Sequence, residues 1–214
     1  MNQLEDYVTT LKLEWETLLE RFQVQYQLSQ ELFERLVMAY SSPDRYYHNL
    51  KHIQQVLKTV EEMQSLANNF SAIQLAAWFH DLIYDSRANN NEEKSAAHAV
   101  AELNKLKIPL STIETVKKII LTTKEHQANP DDIDSQILLD ADISILGSPQ
   151  LVYRAYAEAI RQEYAWVADE QYKISRKQVL ENFLQRERIY CTDKLFSELE
   201  VQARCNLQAE IVFL

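Results

Sequence analysis

Residues 71–82 have the sequence SAIQLAAWFHDL. Apolar side chains would surround almost the whole circumference of a helix here, and a helix of this kind is normally buried in the middle of a protein. Near its C-terminal end the segment contains His80 and Asp81, whose side chains are costly to bury unless they have partners. The sequence therefore predicts a central helix that brings an imidazole and a carboxylate into the interior.

The rest of the chain supports a helical architecture. Of its 214 residues, one is glycine, Gly147, and four are proline, whereas average usage gives about fifteen glycines and about ten prolines. Most β architectures need these residues at turns and bulges, and one glycine cannot form a glycine-rich phosphate loop. We predict a single all-α domain over 1–214 with about ten helices. Its core would span 45–147, with helices 3–39 and 149–212 packed on it.

Helix boundaries are predicted from capping residues. The predicted N-caps are Ser29, Ser71, Ser111 (in a capping box with Glu114), Ser175, and Thr192 or Asp193. A third helix is predicted over 46–66 and a seventh over 135–146. Gly147 is expected at the position after a helix C-terminus that favours glycine.

The overall charge limits the partners. A formal charge of −10 argues against binding a nucleic-acid polymer, which requires a basic face. No apolar run approaches the roughly 18 residues of a membrane span, and the N-terminal residues lack a signal-peptide pattern. Cys191 and Cys205 are expected to be reduced, so a cytoplasmic location is predicted. The sequence leaves open whether the chain forms a homodimer.

Polar residues recur on faces that are otherwise apolar. His48 and His52 are four residues apart and would share one face of the third helix. Asp140 and Asp142 point to nearly opposite sides of a helix, so at most one is expected to face the core. The neighbours of Asp142 at three and four residues are all apolar, which favours Asp142.

An isolated buried His or Asp is more often a hydrogen-bonded core residue than a ligand. Here, however, polar anomalies fall on three separate helices that are able to converge. Two imidazoles and two carboxylates suit Mn²⁺, Fe²⁺, Co²⁺, Ni²⁺, Zn²⁺ or Mg²⁺. We therefore predict a divalent metal site.

The order His52, His80-Asp81, Asp142 resembles the H…HD…D signature of the HD-domain superfamily of metal-dependent phosphohydrolases. Residues 47–52, YHNLKH, are similar to an element of its cyclic-nucleotide phosphodiesterase branch. Four further segments resemble a small bacterial family of predicted HD phosphohydrolases: 91–96, 139–147, 153–164 and 183–186. The resemblance covers most of the chain from residue 45 to about residue 204.

The resemblance implies an HD-like fold and a phosphohydrolase that acts on a small phosphate ester, with nucleotides among the candidates. It implies that one or two divalent ions are bound by four residues: His52, His80, Asp81 and Asp142. Asp81 would also act in catalysis, as the ligand able to bridge a second ion. His48 would protonate the leaving oxygen.

The roles of the remaining polar residues are less constrained. Arg45 and Lys124 are candidate phosphate ligands, although such residues are usually solvated surface. The sequence lacks the further histidines and the GYP motif of the HD-GYP branch, and residues 122–126 stand in roughly that place. His126 is therefore a candidate for binding phosphate or a second ion, with a structural or merely polar role as the alternative. Some polar residues have structural interpretations: Glu92 and Glu93 lie at a helix start, and His98 lies at the surface. Arg161, Glu163 and Tyr164 lie on one tyrosine-rich helix, where an Arg–carboxylate pair is expected to hold helices together. A di-iron oxygenase of HD type and a non-catalytic metal- or nucleotide-binding module are the alternatives.

Overall fold

Residues 3–214, with side chains from residue 7 onward, are described by a computed structural model, and they form ten α-helices and two 3₁₀ segments. The 3₁₀ segments are Gln64–Leu66 and Ile143–Gly147. The α-helices are α1 (Gln3–Glu20), α2 (Tyr26–Tyr40), α3 (Leu50–Glu61), α4 (Phe70–Phe79), α5 (Asn91–Lys105), α6 (Leu110–Thr122), α7 (Ile133–Asp142), α8 (Gln150–Glu163), α9 (Asp169–Leu184) and α10 (Asp193–Phe213). No strand occurs between residues 3 and 214, so the all-α prediction is confirmed.

Helix α4 is the centre of the core, as its all-round apolar sequence predicts. It packs against α3, α5, α6 and α7. Trp78 meets the rings of Trp15 and Phe33 edge-on, with centroids 5.4 and 5.9 Å away, and its carbonyl accepts a hydrogen bond from the Tyr40 hydroxyl at 2.9 Å. Burying a large apolar side chain of this kind stabilises the fold by about 1.5–3 kcal/mol. The C-terminal end of α4 is thereby held in a fixed place.

Most of the predicted N-capping residues are wrong. Thr192 caps α10 as predicted, with its hydroxyl accepting from Leu195 N at 3.3 Å. The four serine caps do not form, because Ser29, Ser111 and Ser175 lie inside helices and Asn69 takes the capping role predicted for Ser71. Tertiary contacts outweigh local capping preference here: Ser29 is buried inside α2, and its carbonyl accepts from the Trp15 indole N–H at 3.0 Å.

The third helix is shorter than predicted. Asn49 caps it by accepting from Lys51 N at 2.9 Å, so α3 begins at Leu50. His48 consequently precedes α3 and does not lie on it. The prediction that His48 and His52 share one helical face was therefore wrong, although their ring centroids are 5.7 Å apart.

Gly147 has a different role from the predicted one. No glycine in the described residues has a positive φ, so Gly147 is not a left-handed helix terminator. It lies instead where the segment after α7 meets α10. A Cβ atom at this position would be 2.5 Å from Leu199 Cβ and 2.9 Å from the Leu199 carbonyl oxygen. The glycine therefore permits close approach of two backbones.

Gly147→Ala is expected to lower the free energy of unfolding by about 1–3 kcal/mol, the usual cost of overpacking a core contact. At a position where alanine fits, the same change normally stabilises by about 0.4–1 kcal/mol. The sign of the change in midpoint during urea unfolding therefore tests the contact. A variant as stable as the parent protein would show that α10 can move away without cost.

None of the described helices combines the length and the apolar character needed to cross a membrane. Cys191 and Cys205 are both free thiols. His98 lies at the surface of α5, as predicted, with its side chain partly exposed.

Candidate metal centre

Helix ends bring four polar side chains together. His52 lies in the first turn of α3, His80 is the C-terminal capping residue of α4, and Asp142 is the last residue of α7. Asp81 follows His80 directly. Helices α3, α4 and α7 all pack against one another, so these ends meet at one point. We call His52, His80, Asp81 and Asp142 the ligand cluster.

The spacing within the ligand cluster matches the predicted metal site. His52 Nε2 is 3.3 Å from His80 Nε2 and 3.2 Å from Asp142 Oδ1. His80 Nε2 is 3.2 Å from Asp81 Oδ2. Neighbouring ligand atoms about 2.0–2.1 Å from one ion, at tetrahedral or octahedral angles, are separated by about 2.8–3.4 Å. One nitrogen or oxygen from each residue is thus placed to hold a divalent ion.

The backbone fixes the ligand nitrogen of His80. Its Nδ1 lies 2.9 Å from the Ala77 carbonyl oxygen, which can only accept, so Nδ1 carries a hydrogen. The neutral ring then presents the lone pair of Nε2 to the cluster. Outer hydrogen bonds of this kind are typical of histidines that bind metals.

The protonation of the cluster follows from its burial and its opposite charges. Burial alone would raise the pKa of Asp81 and Asp142, but the imidazoles around them hold both pKa values well below the usual range. Burial would lower the pKa of His52 and His80, yet the two carboxylates raise both above the ordinary value. In the metal-free protein these shifts favour protonated imidazoles beside ionised carboxylates.

Metal binding is expected to release protons at neutral pH. Because the pKa values of His52 and His80 are raised in the metal-free protein, an incoming ion must displace the protons that these rings carry. Affinity for Mn²⁺ or Zn²⁺ should consequently rise with pH and level off above both pKa values. Calorimetric titrations in buffers of different ionisation enthalpy would count the protons. Affinity that does not change with pH would contradict this assignment.

Asp140 and Asp142 are both enclosed, so the prediction that at most one faces the interior was wrong. Asp140 is completely buried and accepts from Cys191 N at 2.7 Å and from Thr192 N at 2.7 Å. The Thr192 hydroxyl donates to it as well, at 2.6 Å. The segment before α10 covers the side of α7 that was expected to face solvent. Asp140 therefore anchors this segment, while Asp142 faces the ligand cluster.

His48 is held beside the cluster by a residue that the sequence did not assign to the site. Its Nδ1 is 2.6 Å from Glu163 Oε2, and the Glu163 side chain is 1% exposed. Glu163 also accepts from Tyr47 N at 2.7 Å, from His48 N at 2.9 Å and from the Tyr84 hydroxyl at 2.9 Å. Burial alone would raise the pKa of Glu163, but its bonds with His48 hold it below the ordinary value. Glu163 is thus a carboxylate that orients the His48 ring.

Arg161 forms the predicted kind of Arg–carboxylate pair between helices: from α8 it donates to Asp169 Oδ1 of α9 at 2.5 Å, and also to the Tyr164 carbonyl oxygen at 2.6 Å. Glu163 pairs with His48. Glu163 and His48 are 115 residues apart in the chain. No local pattern joins positions so distant, so single-sequence reasoning had no signal for this contact.

Of the three predicted substrate ligands, the structure brings one to the cluster. His126 Nε2 is 3.1 Å from Asp142 Oδ2. Its backbone has a φ of 47°, a conformation uncommon outside glycine. Arg45 instead donates to the carbonyl oxygens of His48 at 3.0 Å and of Asp81 and Leu82 at 2.7 Å each.

Lys124 forms an ion pair with Glu93 at the surface. Neither Lys124 nor Arg45 lines the cavity that opens on the cluster, whereas Glu92 does.

This cavity has a volume of about 420 Å³, within the roughly 300–1,000 Å³ of typical small-molecule sites. Asp81, Asp142, His48 and His126 line one part of it. Much of its remaining wall is aromatic or comes from α9: Tyr47, Tyr84, Tyr156, Tyr164, Tyr172, Arg176 and Phe183. These side chains come from distant parts of the sequence, so their shared cavity depends on contacts between helices.

A scan against protein-family models finds no match to this chain, and a search of curated proteins finds no significant match. The resemblance to HD-domain proteins therefore stays a prediction from the motifs, and the structure adds the convergence of the four residues that carry it.

Proposed function

We propose that this protein is a metal-dependent phosphohydrolase that uses water to cleave a small phosphate ester. One observation carries the proposal: four candidate metal-ligand atoms lie within 4.8 Å of one another, and two of their residues, Asp81 and Asp142, line a cavity that is also lined by the oriented His48. Phosphate hydrolysis needs a centre of positive charge and a proton donor for the leaving oxygen. This cavity provides residues suited to both tasks.

The ligand cluster would hold the ion. When bound, a divalent ion supplies Lewis acidity toward a phosphoryl oxygen and lowers the pKa of water. Two imidazoles and two carboxylates suit several first-row ions as well as Mg²⁺. The ion would also provide the local positive charge that an acidic protein with a net charge of −10 otherwise lacks.

His48 is suited to protonate the leaving oxygen. Because its Nδ1 donates to Glu163 at 2.6 Å, Nε2 is the nitrogen left to exchange a proton with a ligand in the cavity. The Tyr84 ring stacks on the imidazole with centroids 4.2 Å apart, and the Tyr84 hydroxyl donates to Glu163 as well. The ring is thus held on one face and at one edge, as a general acid requires.

The contact between His126 and Asp142 favours a second candidate, a centre with two ions. Each oxygen of Asp142 faces a different imidazole: Oδ1 lies 3.2 Å from His52 and Oδ2 lies 3.1 Å from His126. If two ions were bound, Asp142 would be placed to contribute one oxygen beside His52 and the other beside His126. A two-iron EPR signal with oxygen consumption would support the di-iron oxygenase alternative over hydrolysis.

The proposal is tested with protein freed of metal and then supplied with Mn²⁺, Co²⁺ or Ni²⁺. We expect release of inorganic phosphate from at least one member of a panel of phosphomonoesters and nucleotides. Asp81→Ala is the control, expected to fold and to show no turnover. Clear metal binding without turnover on any substrate would contradict the proposal and favour a non-catalytic metal-binding module.

A further inference from the structure

Arg176 of α9 is the only lysine or arginine among the residues found to line the cavity. Its side chain is 8% exposed. Nε donates to Glu210 Oε1 at 2.7 Å, and Nη2 donates to Glu210 Oε2 at 3.1 Å. Tyr153 also donates its hydroxyl to Glu210. The guanidinium is therefore held rigidly against α10 with its charge neutralised.

This pairing leaves part of the guanidinium available. A guanidinium carries five N–H groups in a planar fork, and Glu210 takes the side formed by Nε and Nη2. The end formed by Nη1 and Nη2 faces one acceptor among the described residues, the Tyr156 hydroxyl, at 3.4 Å from Nη1. That distance is longer than a normal hydrogen bond of this type. Two parallel N–H groups thus remain for a planar ligand with two neighbouring acceptors.

The position of Arg176 relative to the ligand cluster indicates which part of a substrate would contact it. Two tyrosine rings lie between the ligand cluster and Arg176. The ring centroids of His52 and Tyr47 are 4.8 Å apart, and those of Tyr47 and Tyr156 are 4.6 Å apart. Arg176 Cζ lies 5.3 Å from the Tyr156 ring centroid. A molecule with its phosphate at the cluster would reach Arg176 with its alcohol portion. Aromatic rings along this path favour a flat group that can stack.

The charge of Glu210 beside Arg176 favours an uncharged ligand group over an anion. Since Glu210 already neutralises Arg176, a second anion here would leave the group with an uncompensated negative charge, whereas an uncharged acceptor adds no charge. An uncharged planar group with two adjacent acceptors occurs at the O6/N7 edge of guanine, which arginine contacts with both N–H groups. Hypoxanthine presents the same edge, and adenine replaces the oxygen with an amino donor.

We propose that Arg176, fixed by Glu210, binds the O6/N7 edge of a 6-oxopurine, so that the preferred esters are guanosine or inosine monophosphates. The inference rests on the proposed phosphohydrolase function for the phosphate end of the substrate. The binding of the base itself needs neither metal nor turnover. Arg176 is on this basis a specificity-determining residue.

Binding of inosine and adenosine to the full chain tests the proposal, because the two nucleosides differ at position 6 of the purine ring. We expect inosine to bind about tenfold more tightly or better, measured by calorimetry or ligand-observed NMR. Arg176→Lys keeps the charge beside Glu210 and removes the fork, so this variant should lose the preference. Arg154→Lys, at an exposed position on α8, is the matched control and should keep it.

Equal affinity of the parent protein for inosine and adenosine, or no binding of either, would overturn the inference. So would an Arg176→Lys variant that folds and retains the preference, because a purely structural Arg176 would give that result. If Arg176→Lys fails to fold, the comparison of nucleosides on the parent protein still decides. Inosine preference without hydrolysis of any ester would refute only the phosphohydrolase function. Hydrolysis of several nucleotides without 6-oxopurine preference would refute only the role of Arg176.

Discussion

Asp142→Asn is expected to lower the affinity for a divalent ion by at least about 100-fold and to remove hydrolysis, while the helices stay folded. Loss of an outer hydrogen bond to a metal ligand typically costs about 10- to 100-fold in affinity, and a lost ligand charge costs more. Asp142 also faces His52 at 3.2 Å and His126 at 3.1 Å. Calorimetric titration with Mn²⁺ measures the affinity, and circular dichroism checks the fold.

Asp140→Asn is the matched control, since it makes the same change two residues away. Asp140 accepts only from the segment before α10, with Cys191 N at 2.7 Å and Thr192 N at 2.7 Å. An amide would place a donor against these donors, so we expect a loss of about 1–3 kcal/mol in unfolding free energy. Metal affinity should change little. If both variants lost metal affinity equally, the separation of a ligand from an anchor would be disproved.

His48→Gln is expected to reduce kcat by about 10²- to 10⁴-fold on an alkyl phosphate, the usual contribution of a general acid. The effect should be much smaller on 4-nitrophenyl phosphate, because nitrophenolate departs without a proton. Metal affinity should be nearly unchanged, since His48 contacts Glu163 and not the ligand nitrogens. Comparing kcat for the two esters measures the proton donation directly.

His98→Gln is the matched control, because it makes the same change at a partly exposed position of α5. It should leave kcat for both esters unchanged. Glu163→Gln should reproduce a smaller form of the His48→Gln defect, because Glu163 orients the ring without reaching the substrate. An equal loss on both esters in His48→Gln would indicate that His48 binds phosphate and does not donate a proton.

The resemblance to HD-domain proteins selected the four residues of the ligand cluster, whereas the sequence alone was sufficient for the all-α class, the central position of α4 and the inward position of His80 and Asp142. These features depend on local information: an apolar segment marks the buried helix, and a polar residue on an apolar face marks a buried polar group. His80 and Asp142 stand out in this way, so their convergence could be predicted without the structure.

The contacts around the cluster could not be predicted in the same way. Glu163 lies on a helix with many polar residues, and its partner His48 is 115 positions away. Arg176 and Glu210 are 34 positions apart on different helices. The capping residues were wrongly predicted for a related reason. Ser29 has the side chain of a typical N-cap, but the packing of α2 against Trp15 places it inside the helix.

The contacts of Arg45 determine how much the loops around the ligand cluster would rearrange when an ion binds. One guanidinium donates to the carbonyl oxygens of His48, Asp81 and Leu82, and so joins the loop before α3 to the loop after α4 in the folded chain. The conformational entropy of these loops is then lost during folding and not on binding. Metal capture should therefore cause little loop rearrangement, and a saturating ion should stabilise the chain simply by mass action.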